Sequence, residues 1–518
     1  MLSRVMGLAR DVVFARVIGA DAFADVFFVA FKIPNFFRRL FAEGAFAQAF
    51  VPILGEYREK GSQAAVKELV NRVTGTLGIT LLGLTLVIIV ASPVMAAIFA
   101  PKWFFDEPDK FAATADMLRI TFPYLLFISM TGLAGGILNS YDRFAVPAFT
   151  PLLLNVTLIT AALVAAPLFD QPAFALAWGV FAAGVVQLMF QLSFLQRIHM
   201  LPRPKVDWQD AGVRKILALM GPAIFGVSVS QINLLLDTML ATFLPTGSVS
   251  WLYYSDRLAE LPLGVFAVAI ATVILPNLSR HHAADSQQAY SETLDWALKV
   301  VLIIAVPAAV ALTLLAEPIL VTLFYYGDVM TARDMSMATL SLRAYAIGLV
   351  AFMLIKVLAP GFFARQDMRT PVRIGVIAML SNMVLNLLFV VPLHYYWQIG
   401  HVGLATATSV SAFLNAGLLF IFLRKNGIYS PSGQWLKFAG RLIGSVVLMV
   451  LVLMVVADWL DVLNQTVWQQ LPWWQRSGNL VGLCTAGFVA YAGCLMATGF
   501  GIADMRGPAK ATTNNDAE

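Results

Sequence analysis

The chain has 518 residues, 59% hydrophobic and 13% charged, with a mean hydropathy of +0.78, so its apolar content exceeds what a water-soluble core uses and its solvent must be lipid. The net charge of +5 needs no nucleic-acid partner, because basic residues in short loops account for it. No Walker, His-Glu-x-x-His or Cys-x-x-Cys motif occurs, and no soluble segment is large enough to hold a nucleotide, which argues against ATP hydrolysis within this chain.

The first 55 residues are apolar in bulk, interrupted by Arg4, Arg10, Arg16, Asp25, Lys32, Arg38 and Arg39, and their length allows two helices. No cleavable signal peptide is expected, since no charged region precedes an uninterrupted apolar stretch with a small-residue cleavage site. Apolar runs of about 20 residues span the hydrocarbon layer. Such runs follow at roughly 76–100, 119–138, 146–168, 173–195, 216–244, 262–278, 297–325, 340–363, 372–393, 402–423, 437–459 and 477–500, which brings the expected count to about fourteen transmembrane helices. Cys484 and Cys494 fall in the last run, too far apart on one helix to pair. The expected fold class is therefore an all-α membrane protein.

Basic residues cluster in the expected loops 56–72, 196–215, 365–373 and 424–441, whereas 101–118 is acidic and 245–249 and 394–401 hold no Lys or Arg. Cytoplasmic loops collect positive charge, so with fourteen helices both termini are expected in the cytoplasm. His281 and His282 sit together in a basic loop and read as solvated. The tail 507–518 is polar and expected to be disordered.

The two halves repeat. Leu118-Arg119 opens a span ending at Gly136, after which come Asp142, Arg143, Pro147 and, within the next span, Asn155. Leu342-Arg343 opens one ending at Gly361, followed by Asp367, Arg369, Pro371 and Asn382, at an offset of about 224 residues. Both copies place an acidic residue, an arginine and a helix-opening proline at one turn. An offset of six helices keeps the same topology, giving two six-helix lobes, 1–200 and 213–425, and two extra C-terminal helices at 437–500.

Ionisable side chains at membrane depth cost several kcal/mol unless they face a partner or a polar cavity, and here they concentrate in two places. The N-terminal pair of helices carries Arg4, Arg10, Asp11, Asp25, Lys32, Arg38, Arg39 and Glu43. On a regular helix Arg4 and Asp11 share a face, as do Asp25 and Lys32, so each pair is expected to neutralise itself; Pro34 is expected to kink the second helix. The matching segment of the second half, Ser250 to Pro262, carries Asp256, Arg257 and Glu260. Several permanently charged guanidinium forks around a dry cavity suit a phosphate or pyrophosphate ligand. The alternative is that they snorkel to the interface and pair with Asp11, Asp256 and Glu260. Ser230, Asn233 and Asp237 form one helical stripe, and Asn382 and Asn386 another; such oxygens suit a small hard cation or act as interhelical glue.

The stretches Ser3-Arg4, Gly7, Arg10-Asp11; Asp25, Lys32, Pro34-Asn35, Arg38-Arg39, Glu43-Gly44; Gly247 to Arg257; and Lys356 to Asp367 closely resemble the MurJ (MviN) family of lipid II flippases, within the multidrug/oligosaccharidyl-lipid/polysaccharide exporter superfamily. The resemblance covers nearly the whole chain, and the family's fourteen helices in two lobes agree with the count above. It implies a flippase, not an enzyme, that moves lipid II, the undecaprenyl-pyrophosphate-linked disaccharide-pentapeptide precursor of peptidoglycan, from the cytoplasmic to the periplasmic face of the bacterial inner membrane by alternating access. By position, Arg4, Arg10, Arg38 and Arg257 match arginines associated with the pyrophosphate, and Asp25, Lys32, Asn35, Glu43, Ser250 and Glu260 match cavity positions tied to gating or the headgroup. The last two helices resemble a groove for the polyprenyl tail. A sodium ion held by Asp237, Asn382, Asn386 and Thr406 is the one implied cofactor. Implied partners are lipid II, membrane lipids and the cell-wall synthesis machinery, with the chain acting as a monomer. Family members carry around a dozen more residues before Ser3. The competing readings are an exporter of drugs or of another lipid-linked oligosaccharide on the same fold, and a membrane-embedded glycosyltransferase or phosphatase. The last would need carboxylate or histidine clusters in sizeable extracytoplasmic loops, and the loops here are short.

Overall fold

The computed structural model describes residues 2–40, 46–326, 329–462, 464–501 and 504, so Glu43 and the tail 507–518 lie outside the described residues. Every regular element among those residues is a helix. In chain order they are α1 (Leu2–Val17), α2 (Ala22–Arg38), α3 (Ala47–Lys60), α4 (Gln63–Val90), α5 (Ser92–Phe99), α6 (Pro101–Asp106), α7 (Pro108–Thr121), α8 (Tyr124–Ser140), α9 (Ala145–Thr160), α10 (Pro172–Arg197) and α11 (Ala211–Thr242). There follow α12 (Ser248–Pro262), α13 (Val268–Ala283), α14 (Gln287–Leu314), α15 (Ala316–Phe324), α16 (Ala332–Leu358), α17 (Pro360–Phe363), α18 (Arg369–Trp397), α19 (Gly400–Lys425), α20 (Trp435–Trp459), α21 (Gln465–Gln470) and α22 (Trp473–Ala497). Among the described residues ten spans are long and apolar enough to cross a membrane, or eleven if the bent pair Ser248–Phe266 and Ala269–Ala283 counts as one. At 16 and 17 residues, α1 and α2 fall below the length of an ordinary span.

Two expected loops are largely helical. The basic stretch 56–72 is broken only at Gly61 and Ser62, where Ser62 Oγ accepts the Ala65 amide at 3.3 Å and starts α4. The acidic stretch 101–118 forms α6 and the start of α7, each opened by a proline in its first turn. Hydropathy misses such extensions because a helix does not stop where the hydrocarbon does. Correspondingly, the run expected at 76–100 is α4 followed by α5, and that at 297–325 is α14 followed by α15.

In lipid no water is at hand for a stray backbone group, and proline removes one donor per helix interior. At Pro34 and Pro307 the carbonyl left over is matched from a neighbouring helix. Pro34 leaves the Ala30 carbonyl unmatched within α2, and Thr121 Oγ1 of α7 donates to it at 3.2 Å. Pro307 does the same to Ile303 in α14, and the Tyr491 hydroxyl of α22 donates there at 2.7 Å.

The chain divides into two compact units, Met1–Tyr253 with Tyr326–Asp334, and Tyr254–Tyr325 with Met335–Glu518. A core of the first joins Phe50, Leu54, Leu69, Val73, Ile137, Leu195 and Ile216. Residues 198–210 run back along α4: Asn71 Oδ1 accepts Arg203 N at 2.7 Å, Asn71 O accepts Lys205 N at 3.0 Å and Thr76 Oγ1 accepts Asp207 N at 3.1 Å. Gly75 permits this approach, since a Cβ there would collide with the Lys205 backbone. Arg72 reinforces it, reaching Glu68 at 3.1 Å and Asp210 at 2.5 Å.

A core of the second unit gathers Leu294, Leu298, Leu349, Met353, Phe362 and Leu419. At one edge Arg476 of α22, 5% exposed, donates to the Val321 and Tyr325 carbonyls at 3.2 Å each, placing a cation at the C-terminus of α15 where the helix dipole favours it. The turns at matching places in the two halves close alike. Asp142 and Gln366 both adopt φ near +60°, with Arg143 N bonded to Leu138 O at 2.9 Å and Asp367 N to Phe362 O at 3.1 Å. His199 and Gly427 repeat the geometry, with Met200 N on Leu195 O and Ile428 N on Leu423 O, each at 2.9 Å. These are Schellman-type ends.

Candidate functional site

The first unit holds most of the charged candidates, and their partners differ from those a helical wheel suggests. Arg10 is only 6% exposed. Its Nε and Nη2 donate to Asp11 Oδ1 at 3.0 and 2.7 Å, Nη1 donates to Asn155 Oδ1 at 3.1 Å, and Nη2 also reaches the Tyr253 hydroxyl at 3.0 Å. That hydroxyl donates to Asp11 Oδ1 at 2.9 Å, and its ring stacks on Phe28 with centroids 4.0 Å apart. Asn155 closes the circuit by donating to Ser3 O at 3.0 Å. A buried cation is tolerable when a carboxylate and several dipoles surround it, and here the adjacent Asp11 supplies the carboxylate and two segments remote in sequence supply the dipoles. Arg4, one helical turn and a half away, is exposed.

Asp25, 2% exposed, is held by the start of α12. Its Oδ2 accepts Gly247 N at 2.7 Å, and its Oδ1 accepts Ser250 N at 2.9 Å and Ser250 Oγ at 2.6 Å. A carboxylate thus caps another helix's N-terminus, where unpaired N–H groups and the dipole favour negative charge. Gly247 turns the chain into that position at φ +95°. Next to it Trp251 Nε1 donates to Asp334 Oδ1 at 2.8 Å, and Asp334 with Thr331 forms the cap that opens α16. The expected pairs Arg4–Asp11 and Asp25–Lys32 do not form among the described residues, because each aspartate has nearer donors. Lys32 instead donates to Thr238 Oγ1 of α11 at 3.2 Å. Asn35 and Arg38 come together, Arg38 Nε donating to Asn35 Oδ1 at 3.1 Å while Asn35 Nδ2 donates to Phe31 O at 2.9 Å. Asp237, on α11, is half-buried.

In the second unit Arg257 Nη1 meets Glu260 Oε2 at 3.2 Å, one turn along α12. Asn382 and Asn386 of α18 are fully buried one turn apart, and Ser411 Oγ donates to Asn382 Oδ1 at 3.3 Å. Thr406 Oγ1 donates to Val402 O at 2.8 Å, which leaves its lone pairs available to a ligand. Glu43 lies outside the described residues. Asn155 and Tyr253 are partners of Arg10 that the candidate set lacked. Asn155 had a signal, as an amide within an apolar span of one repeat mirrored by Asn382 in the other; for Tyr253 none was available, since its partner lies in a distant segment.

The lipid II flippase MurJ family matches residues 14–471. The probable lipid II flippase MurJ of Vibrio cholerae serotype O1 is 47% identical over 512 residues, covering 98% of this chain and 95% of that protein. Its counterpart from Haemophilus influenzae is 47% identical over 511 residues, with 96% and 98% covered, and the lipid II flippase MurJ of Burkholderia cenocepacia is 45% identical over 450, with 86% of each covered. Among solved structures, lipid II flippase MurJ in an inward closed conformation superimposes with a TM-score of 0.78 at 24% identity, over 95% of this chain and 96% of that one. An inward-facing multidrug resistance MATE family transporter of the MOP superfamily gives 0.66 at 15% identity, over 82% and 94%. These two likenesses concern the fold alone.

Proposed function

We propose, from the premise that this chain belongs to the lipid II flippase MurJ family, that it translocates lipid II from the cytoplasmic to the periplasmic leaflet of a bacterial inner membrane by alternating access. Fourteen helices in two repeated lobes, with both termini in the cytoplasm, complete the reading; the matching αL turns of the two halves and the alternation of basic loops support it. The observation that carries the substrate assignment is the Arg10 network. A guanidinium at membrane depth donates two hydrogen bonds to Asp11 and one each to Asn155 and Tyr253, all of them replaceable. A pyrophosphate offers the same planar fork several anionic oxygens at once. Arg4, Arg38 and Arg257, with Lys32, Asn35, Glu43 and Glu260, are the remaining proposed contacts with the headgroup.

The Asp25 clasp on Gly247 and Ser250 is read as a gate on the periplasmic side, closed while substrate enters from the cytoplasm. Binding shifts the population toward the other state only by its differential affinity for the two. Sodium is the proposed coupling ion. The two amide oxygens of Asn382 and Asn386, the Thr406 hydroxyl and the Asp237 carboxylate are the oxygen donors a hard monovalent cation takes, and a bound cation would supply charge balance. A drug exporter on the same fold is less favoured, because relatives at 47% identity carry the flippase name while the multidrug transporter shares 15%.

The test is replacement of Arg257 or Arg38 by Ala in a strain depleted of the native protein. Each change is expected to abolish growth at unchanged protein abundance, with lipid II accumulating on the inner leaflet. Wild-type growth with either variant overturns the binding role. Loss of sodium-stimulated transport in vesicles on Asp237→Asn tests the ion, and an unchanged sodium response defeats it.

A further inference from the structure

We infer that a cavity at the N-terminal ends of α14 and α20, beside the end of α22, binds the headgroup of an aminophospholipid, a phosphodiester joined to a primary ammonium. The cavity measures about 860 Å³, lies wholly within the second unit, and includes none of the residues assigned to lipid II or sodium.

Its floor is Asp295, whose carboxylate accepts from the Tyr429 hydroxyl at 2.7 Å, Ser432 Oγ at 2.8 Å, Trp435 Nε1 at 2.6 Å and Lys299 Nζ at 2.7 Å. With Ser432 N at 3.3 Å as a fifth donor, that carboxylate is saturated, so it anchors the wall and leaves ligand recognition to others. Lys437 and Arg441 line the cavity one turn apart on α20, and among the described residues neither has a carboxylate partner within ion-pair distance; the one bond of Arg441 runs from Nη1 to Gly499 O at 3.4 Å. The 25-residue α20 also begins here, and its N-cap residue Gln434 provides no side-chain bond. Open N–H groups at a long helix's N-terminus plus two cations make a phosphate site.

The lining is nevertheless neutral by count, because Glu292 and Asp504 join Asp295 against Lys299, Lys437 and Arg441. Cations on α20 and acids on α14 and beyond α22 suit a zwitterion better than a simple anion. Glu292 accepts one bond, from Gln288 at 2.9 Å, and Asp504 one from Gly501 N at 2.8 Å, so both keep lone pairs for an ammonium. A lipid, more than a soluble phosphoamine, fits the surroundings. Trp296, Phe438 and Phe500 form apolar walls, and on the Lys437–Arg441 face of α20 the next turns expose Leu448 (40%), Leu451 (56%) and Val455 (69%), a track for an acyl chain. That this leaflet is the cytoplasmic one rests on the orientation proposed above; the headgroup assignment does not.

Native mass spectrometry of the full chain in detergent, titrated with phosphatidylethanolamine, phosphatidylglycerol or phosphatidylcholine, tests the inference. Phosphatidylethanolamine is expected to be retained best. Each cation near a phosphate surface contributes about fivefold, so Lys437→Gln with Arg441→Gln should weaken retention about thirtyfold. Lys437→Gln alone, at an exposed position, should weaken it about fivefold and guards against misfolding of the double variant. Glu292→Gln should weaken phosphatidylethanolamine selectively and leave phosphatidylglycerol unchanged. Equal retention of the three lipids, no change in the variants, or displacement by millimolar soluble phosphoethanolamine overturns the assignment. Labelling of a Ser430→Cys variant from either side of intact cells tests orientation separately.

Discussion

Replacing Asp25 with Asn isolates what the carboxylate does at the start of α12. The native group accepts three hydrogen bonds with its two oxygens, two from backbone N–H and one from Ser250 Oγ. Asparagine keeps one acceptor oxygen and turns an NH2 toward the Gly247 amide. The clasp loses one bond to a charged group and leaves a buried N–H unmatched, together about 3–5 kcal/mol. If the clasp exists in one state of the cycle and not the other, the balance moves by roughly two to three and a half orders of magnitude. The assay is reaction of a Val249→Cys thiol with an impermeant maleimide, in a background where Cys484 and Cys494 are replaced. Val249 is 1% exposed, so the reagent reaches it only when the 247–250 turn leaves α2. Asp25→Asn should raise the labelling rate at least tenfold, and Ser250→Ala, which keeps both backbone bonds, should give a smaller rise. A rate within twofold of the parent for Asp25→Asn refutes the reasoning.

Tyr491→Phe and Thr121→Val each strand a proline-orphaned carbonyl in an apolar setting and should destabilise the purified protein by about 1–3 kcal/mol, read as a lower melting temperature in detergent, with Thr121→Ser close to wild type. Gly75→Val should push residues 203–207 off α4, seen as accelerated hydrogen exchange at the Lys205 and Asp207 amides without change in α18. Asp367 precedes α18, and its hydrogen bonds with Thr370 hold its carboxyl below the ordinary 3.8. A depressed folded-state value contributes stability above the unfolded value that is lost as pH falls through the folded one. Protection of the Thr370 amide should therefore be level from pH 5 to 8 and drop below about pH 3.8, whereas Asp367→Asn should be insensitive over the same range.

Much of this molecule is written locally. Apolar content alone settles the solvent, uninterrupted runs locate most spanning helices, and Asp142 and Asp367 mark turns whose backbone closes in the same way. The arginines of α1 and α2 declare themselves, because a charge in an apolar run has no local explanation. Which group meets which charge is another matter. Arg10 lies 145 positions from Asn155 and 243 from Tyr253, and Asp25 lies 222 from Gly247; Arg10 adds these distant groups to the Asp11 beside it, and Asp25 leaves unused the plausible partner on its own helix, Lys32. Lipid solvates every apolar face equally, so hydropathy says that a helix is in the membrane without saying which face it turns to a neighbour. That choice comes from packing and from the need to match every buried donor and acceptor, both of which are set only when distant segments have come together.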